Sequence, residues 1–106
     1  MFTRHVITAL KPNCAAEFTR ITDSEILPLL RRQKGFSDLI TFIAPDGSEA
    51  IAISFWDTKE SAEAYNLTGY PEALKALSNV VEGTPRVGTA EVATSTLHKK
   101  AAAKTA

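Results

Sequence analysis

The sequence predicts an α+β domain of ferredoxin-like βαββαβ order, in which a four-stranded antiparallel sheet carries its helices on one face. Short apolar runs rich in valine, isoleucine, phenylalanine and threonine are typical of strands, and they alternate with stretches whose apolar residues recur every three or four positions, as in amphipathic helices. The two middle strands are joined by Pro45-Asp46-Gly47, and a connection this short makes them antiparallel neighbours. Two strand-helix-strand units joined by this hairpin give the predicted sheet.

The first strand and the first helix occupy the N-terminal third of the chain. Phe2–Leu10 combines apolar residues with threonines, so we predict a strand there. Asn13 is a good N-cap residue, and apolar residues at helical spacing continue to Arg32. Pro28 lacks a backbone N–H, so a kink or an irregular turn is expected between Glu25 and Pro28. Gly35 follows a basic last turn and ends the helix.

The hairpin leads directly into the second helix. Phe36–Ala44 and Ala50–Trp56 are the predicted second and third strands, each with apolar residues on both parities. Asp57 is the predicted N-cap of the next helix, and Glu60 stands at the reciprocal third position of a capping-box-like pair.

The C-terminal third contains a divided helix and the last strand. Gly69-Tyr70-Pro71 interrupts the second helix, since glycine readily ends a helix and proline readily starts one, and the second piece runs over Pro71–Val80. We predict a loop at Glu82–Pro85 and the last strand at Arg86–Leu97, which is rich in valine and threonine. Residues 98–106, rich in lysine and alanine, are predicted to be a disordered tail, which leaves residues 1–97 as the domain.

Length, charge and cysteine content limit the class of protein. At 106 residues and 44% hydrophobic content, the chain is one ordinary globular domain. Twelve basic residues balance twelve acidic ones, so no strong field favours nucleic acid or an anionic membrane. The single cysteine, Cys14, allows no intrachain disulfide, and the apolar runs are far shorter than the roughly 20 residues of a membrane span. We therefore expect a cytoplasmic protein that binds neither nucleic acid nor membrane.

The middle strands carry apolar residues on both of their faces. In the second strand, Leu39 and Ile43 lie on one parity and Ile40 and Phe42 on the other. Helices cover only one face of the predicted sheet, so the other face also needs shielding from water. Face-to-face pairing of two sheets in a twofold homodimer provides it. The alternative is a monomer with a sparsely apolar outer face.

Three segments carry a family resemblance: RQKGF (Arg32–Phe36), PDG (Pro45–Gly47) and SFWDTKESAEAY (Ser54–Tyr65). Their order and spacing resemble the antibiotic-biosynthesis-monooxygenase (ABM) family of the dimeric α/β-barrel superfamily, over roughly Phe2 to Leu97. The resemblance implies a ferredoxin-like subunit, a dimer with a barrel between its two sheets, and a ligand pocket between sheet and helices. It also implies a candidate activity, because the superfamily includes cofactor-free monooxygenases that act on quinol-like polyketides.

The same superfamily contains haem-degrading enzymes, which use an asparagine on the first strand and a tryptophan and a later histidine on the second helix. Aligned without gaps on Trp56, the last two positions hold Tyr65 and Lys75, and Phe2–Leu10 contains no asparagine. We therefore predict no haem. The sequence also lacks a glycine-rich phosphate loop and a Cys/His cluster, so we expect neither a nucleotide nor a metal cofactor.

Cofactor-free oxygenation needs a base that deprotonates an activated phenol or quinol, and polar groups that hold the resulting anion. His5, on the first strand, and Tyr65, on the second helix, are the candidate catalytic residues. Trp56, Asn66 and Tyr70 are the candidate substrate contacts at the cleft between sheet and helices. Each has a structural alternative: a histidine on the sheet face, a tryptophan packed in the core with its indole N–H satisfied locally, and polar residues that only fit helix to sheet.

Two functional hypotheses follow. The first is a homodimeric, cofactor-independent monooxygenase with a pocket for an aromatic or quinol-like small molecule. The second is a non-catalytic dimeric module that binds a ligand or supports assembly, and the scarcity of polar catalytic candidates favours it. The fold by itself does not choose between them.

Overall fold

The structure is a computed structural model that describes residues 1–97, so the predicted disordered tail at 98–106 lies outside the described residues. In chain order the elements are β1 (Phe2–Leu10), α1 (Ala15–Ile21), a π-helical turn (Thr22–Ile26), α2 (Leu27–Arg31), β2 (Phe36–Ile43), β3 (Glu49–Trp56), α3 (Lys59–Thr68), α4 (Tyr70–Leu77) and β4 (Val81–Glu91). The strands pair antiparallel in the order β2-β3-β1-β4. The predicted ferredoxin-like fold is confirmed.

The two faces of the sheet differ because successive side chains of a strand point to opposite sides. Phe2 and Leu10, on the even parity of β1, face the helices and are 8% and 4% exposed. The opposite parity carries a second apolar set, in which Phe42 is 49% exposed. We call this second side the open face and define it by the cross-strand register as Ile7, Ile40, Phe42, Ile51, Ile53 and Phe55.

The first helical region is divided near its proline, as predicted. Pro28 lacks the N–H that would bond to the carbonyl of Ser24, so the regular α-helical ladder cannot continue through this point. The chain instead makes the π-helical turn before α2. The observed turn begins at Thr22, three residues earlier than the predicted Glu25. Gly35, with φ of 81°, lies between α2 and β2.

Both predicted N-caps are wrong. Asn13 adopts the left-handed conformation with φ of 60°, which asparagine tolerates, and α1 begins after Cys14 without a side-chain cap. Helix α3 is capped by Thr58, one residue after the predicted Asp57, and its Oγ1 accepts a hydrogen bond from the N–H of Ser61 at 3.1 Å. The backbone N–H of Asp57 donates to the carbonyl of Gly35 at 2.8 Å.

The last strand begins earlier than predicted, at Val81 instead of Arg86, and ends at Glu91. The predicted loop at Glu82–Pro85 is therefore wrong. Gly83, with φ of 69°, lies where the pairing with β1 shifts register, so a bulge accommodates the glycine and the proline within the strand. This bulge places the following part of β4 beside the centre of β1.

The hydrophobic core lies between the sheet and the helices. Its largest fully buried side chains are Trp56, at the end of β3, and Leu30, in α2. Trp56 meets the ring of Phe36 edge to face, with centroids 5.6 Å apart. Across residues 1–97, no helix combines the length and the hydropathy needed to cross a bilayer.

Candidate functional site

A buried arginine lies on the helix-covered face of the sheet. Arg4 is the third residue of β1, on the parity that faces the helices, and it is 3% exposed. Its Nη2 donates a 2.7 Å hydrogen bond to Oδ1 of Asn66 in α3. Within residues 1–97 no carboxylate forms an ion pair with it. A guanidinium has five N–H donors, so this cation is held in the interior with donors to spare and without a neutralising charge.

Two tyrosine rings lie against the guanidinium. Its central carbon lies 4.4 Å from the ring centroid of Tyr70 and 5.2 Å from that of Tyr65. Both distances are within the range of cation–π attraction, which partly compensates the lost hydration of Arg4. The tyrosine rings lie 6.1 Å apart, at the end of α3 and the start of α4.

The break between α3 and α4 allows the two tyrosine rings to lie side by side. A Cβ atom on Gly69 would lie 2.7 Å from Cδ1 of Tyr65, closer than any real contact of that kind. Glycine therefore permits the Tyr65 ring to lie against the helix end, while Pro71 starts α4 at once. The predicted interruption at Gly69-Tyr70-Pro71 is confirmed, and it positions the two rings at Arg4.

Burial and the neighbouring charge act in opposite directions on the site's ionisable groups. Burial lowers the pKa of Arg4, but a guanidinium still stays charged at neutral pH. Burial raises the pKa of Tyr65 to about 12, although the charge of Arg4 opposes the rise. Burial likewise raises the pKa of Tyr70. Both hydroxyls therefore keep their protons at neutral pH, and they can donate hydrogen bonds but not act as bases.

Arg4 forms part of the wall of two separate spaces. The inner cavity, between sheet and helices, has a volume of about 60 Å³ and is lined by Arg4, Val6, Leu39, Ala52, Tyr70 and Ala73, among others. The outer cleft, between α3 and the β1–β4 edge of the sheet, has a volume of about 420 Å³ and is lined mainly by Phe2, Arg4, Asn66, Leu67, Val87 and Thr89. Leu67 and Val87 are 78% and 46% exposed, so the cleft presents apolar surface to the solvent.

No protein-family model matches this chain, and no curated protein gives a significant match. Solved structures do. A protein assigned as an antibiotic biosynthesis monooxygenase, from Bordetella bronchiseptica, is 14% identical, with a TM-score of 0.74 over 86% of this chain and 95% of that one. The ActVA-Orf6 monooxygenase of Streptomyces coelicolor, solved with nanaomycin D, is 16% identical, with a TM-score of 0.71 over 84% of each chain. SnoaB of Streptomyces nogalater, a cofactor-independent oxygenase, is 16% identical, with a TM-score of 0.72 over 90% of this chain and 95% of its own.

The chain has the fold of the antibiotic biosynthesis monooxygenases. The resemblance inferred from the sequence is thus supported by the three-dimensional structure. At these identities the likeness concerns the fold and leaves the activity to be argued from the site.

The structure separates the two predicted catalytic residues. His5 lies on β1 next to Arg4 in sequence, so its side chain points to the opposite side of the sheet, away from Tyr65. Its Nε2 is 2.9 Å from Oγ1 of Thr3, which points to the same side. His5 and Tyr65 therefore do not line one cavity. The reason is the period of two along a strand, since the helix-facing position belongs to Arg4.

The three predicted substrate contacts lie in different parts of the structure. Trp56 is fully buried behind Tyr65, with ring centroids 5.1 Å apart, and its indole N–H donates to Oγ of Ser54 at 2.9 Å. It supports Tyr65 and does not belong to the wall of the inner cavity. Asn66 lines the outer cleft and holds Arg4, and Tyr70 lines the inner cavity.

Arg4 was missed by the sequence analysis, although a signal for it exists. It stands between Phe2 and Val6 on the same parity of a predicted strand whose other face carries His5. A permanently charged residue among apolar ones on a covered face is exceptional, because burying a charge is costly unless something requires it.

Proposed function

We propose that this protein is a cofactor-independent monooxygenase of the antibiotic-biosynthesis-monooxygenase family, acting on a phenolic or quinol-like aromatic molecule. The observation that carries the proposal is the buried guanidinium of Arg4, which has no carboxylate partner among residues 1–97 and lies where the outer cleft meets the inner cavity. The fold shared with SnoaB, a cofactor-independent oxygenase, supports the same reaction class.

Arg4 supplies the electrostatic part of the reaction. A phenol that points its hydroxyl at the guanidinium becomes more acidic, because the adjacent positive charge favours the phenolate. The outer cleft is open to water, so the phenol proton leaves to solvent and needs no protein base. Tyr65 and Tyr70 stay neutral and hold the guanidinium by their ring faces, and Asn66 fixes its orientation.

The substrate itself provides the electrons. The substrate reacts as the phenol (enol) tautomer of an aromatic ketone that contains a CH₂ group, so that the reacting carbon keeps one hydrogen and the other is the O–H proton that leaves to solvent. The resulting anion donates an electron pair from this carbon to dioxygen and forms a C–O bond. The peroxide takes up a proton. Loss of water then breaks the O–O bond and the remaining C–H bond, which leaves a carbonyl. The carbon thus loses two hydrogens and gains one oxygen atom, and the second oxygen atom leaves as water.

Oxygen uptake tests the proposal directly. The wild-type protein is added to a panel of acidic phenols and quinols in an oxygen electrode, and uptake above the spontaneous rate is measured in reducing buffer, as suits the cytoplasmic location that we propose. Arg4→Met is expected to lose activity about 100-fold or more, the usual effect of removing an anion-stabilising group. Arg20→Met is the matched control, since Arg20 is exposed on α1 and paired with Glu17.

Two outcomes decide against catalysis. Flat oxygen traces across the whole panel remove the monooxygenase proposal. If aromatic ligands nevertheless change the fluorescence of Trp56 in the wild type and not in Arg4→Met, the protein is the alternative non-catalytic binding module. Trp56 is suited to this measurement because it is the one tryptophan and stacks on Tyr65.

We also propose that a second copy of the chain covers the open face. Both sides of the sheet are apolar, yet every helix within residues 1–97 packs on one side only, and Phe42 is 49% exposed. Pairing two open faces buries these side chains in a closed, twofold arrangement. The site around Arg4 lies on the other side of the sheet, so each copy carries its own.

A further inference from the structure

The two spaces that meet at Arg4 differ too much in size to hold the same ligand. The inner cavity measures about 60 Å³. An apolar cavity of about 150 Å³ is known to bind benzene, and a water molecule needs only about 10–15 Å³ for its centre. The inner cavity therefore has room for a diatomic molecule and not for an aromatic ring. The outer cleft, at about 420 Å³, is within the range of small organic ligands.

The wall of the inner cavity disfavours water. A buried water molecule needs two to four polar partners. Of the hydroxyls that line the cavity, that of Ser54 accepts from the indole of Trp56, and that of Thr8 lies 3.4 Å from the carbonyl of Ala9. Among residues 1–97, no side-chain polar atom of Arg4, Tyr65 or Tyr70 is both buried and without a hydrogen-bond partner. The remainder of the wall is formed by apolar side chains and a proline. An apolar diatomic molecule needs no such partners.

We propose that the inner cavity is a dioxygen site and that the outer cleft is the site of the aromatic substrate, with Arg4 as their common wall. The inference rests on the proposed function and adds the position of each reactant. Dioxygen then approaches the substrate anion from the apolar side, while the phenol proton leaves on the wet side. The guanidinium is next to the negative charge as it passes from the substrate to the oxygen.

Xenon is an apolar probe of the inner cavity that needs no turnover. Crystals of the wild-type protein are pressurised with xenon, and a peak is expected in the inner cavity, beside Ala52 and Ala73. A cavity filled by ordered water without a xenon peak overturns the proposal. Xenon in the cavity combined with no oxygen uptake on any phenol removes the proposed function, and this inference with it.

Two matched substitutions on neighbouring strands separate the reactants kinetically. Ala52→Val adds two carbon atoms to the wall of the inner cavity on β3, and it is expected to raise KM for dioxygen at least about fivefold with KM for the phenol unchanged. Val87→Ala enlarges the outer cleft on β4, and it is expected to raise KM for the phenol with KM for dioxygen unchanged. If Ala52→Val leaves KM for dioxygen unchanged while oxygen uptake persists, the dioxygen site is wrong and the proposed function survives.

Discussion

Replacing Arg4 with methionine separates a structural role of the guanidinium from a functional one. Methionine retains an unbranched apolar side chain in the same place. The change removes the hydrogen bond to Asn66. This loss costs only about 1.5 kcal/mol, because Asn66 is exposed and bonds to water instead. It also removes the contacts with Tyr65 and Tyr70, worth about 1 kcal/mol each. The loss of favourable interactions is thus about 3–4 kcal/mol.

The same change removes the cost of keeping a charge in the interior. Arg4 is 3% exposed and has no carboxylate partner among the described residues, and transfer of an ion out of water costs several kcal/mol. The loss of favourable interactions and the removal of this desolvation cost nearly cancel. We therefore expect the free energy of unfolding of Arg4→Met to lie within about 2 kcal/mol of the wild-type value, although oxygen uptake is lost.

Urea unfolding followed by the fluorescence of Trp56 measures the difference. Leu30→Ala is the control for a purely structural residue, since Leu30 is 2% exposed in α2, and it is expected to lose about 2–5 kcal/mol. A loss above about 3 kcal/mol for Arg4→Met would refute the reasoning, because removal of a charge that compensates other buried groups has that size. The guanidinium would then be part of the core and not a group held for a ligand.

Three further predictions concern pH, the helix break and the open face. The pKa of Tyr65 is about 12 in the folded state and about 10 in the unfolded chain, so the folded state holds its proton more tightly. This contribution to the free energy of unfolding is therefore fully present below about pH 10 and falls by up to about 3 kcal/mol towards pH 12, and Tyr65→Phe should remove this part of the loss in urea titrations. Gly69→Ala should destabilise the fold by about 1–3 kcal/mol and lower oxygen uptake, because its Cβ meets the Tyr65 ring, whereas Gly88→Ala, with nothing within 4 Å, should not. Ile53→Glu on the open face should convert the proposed dimer to a species of 11.5 kDa in light scattering; a wild-type protein already of that mass contradicts the proposed dimer.

The order of elements could be predicted because each has a local cause. The apolar runs of the first three strands, the Pro45–Gly47 turn, the missing N–H of Pro28 and the interruption at Gly69 act over a few residues of chain, and they give the expected elements. The predicted element boundaries were wrong where the boundary depends on a residue that is distant in the sequence. The start of β4 depends on pairing with β1 across a bulge at Gly83. Thr58 caps α3, and the N–H of the predicted cap, Asp57, bonds to Gly35.

The candidate site shows the same division. From the sequence alone, Tyr65, Asn66 and Tyr70 could be named, because polar and aromatic residues at a helix break stand out locally, and the strand-helix fold could be matched to a family. Only the tertiary structure decided that His5 points away and that Arg4 is the group on which these residues converge. The reason is physical: alternation along β1 assigns each side chain to one of two faces, but which face the helices cover depends on packing across the whole sheet.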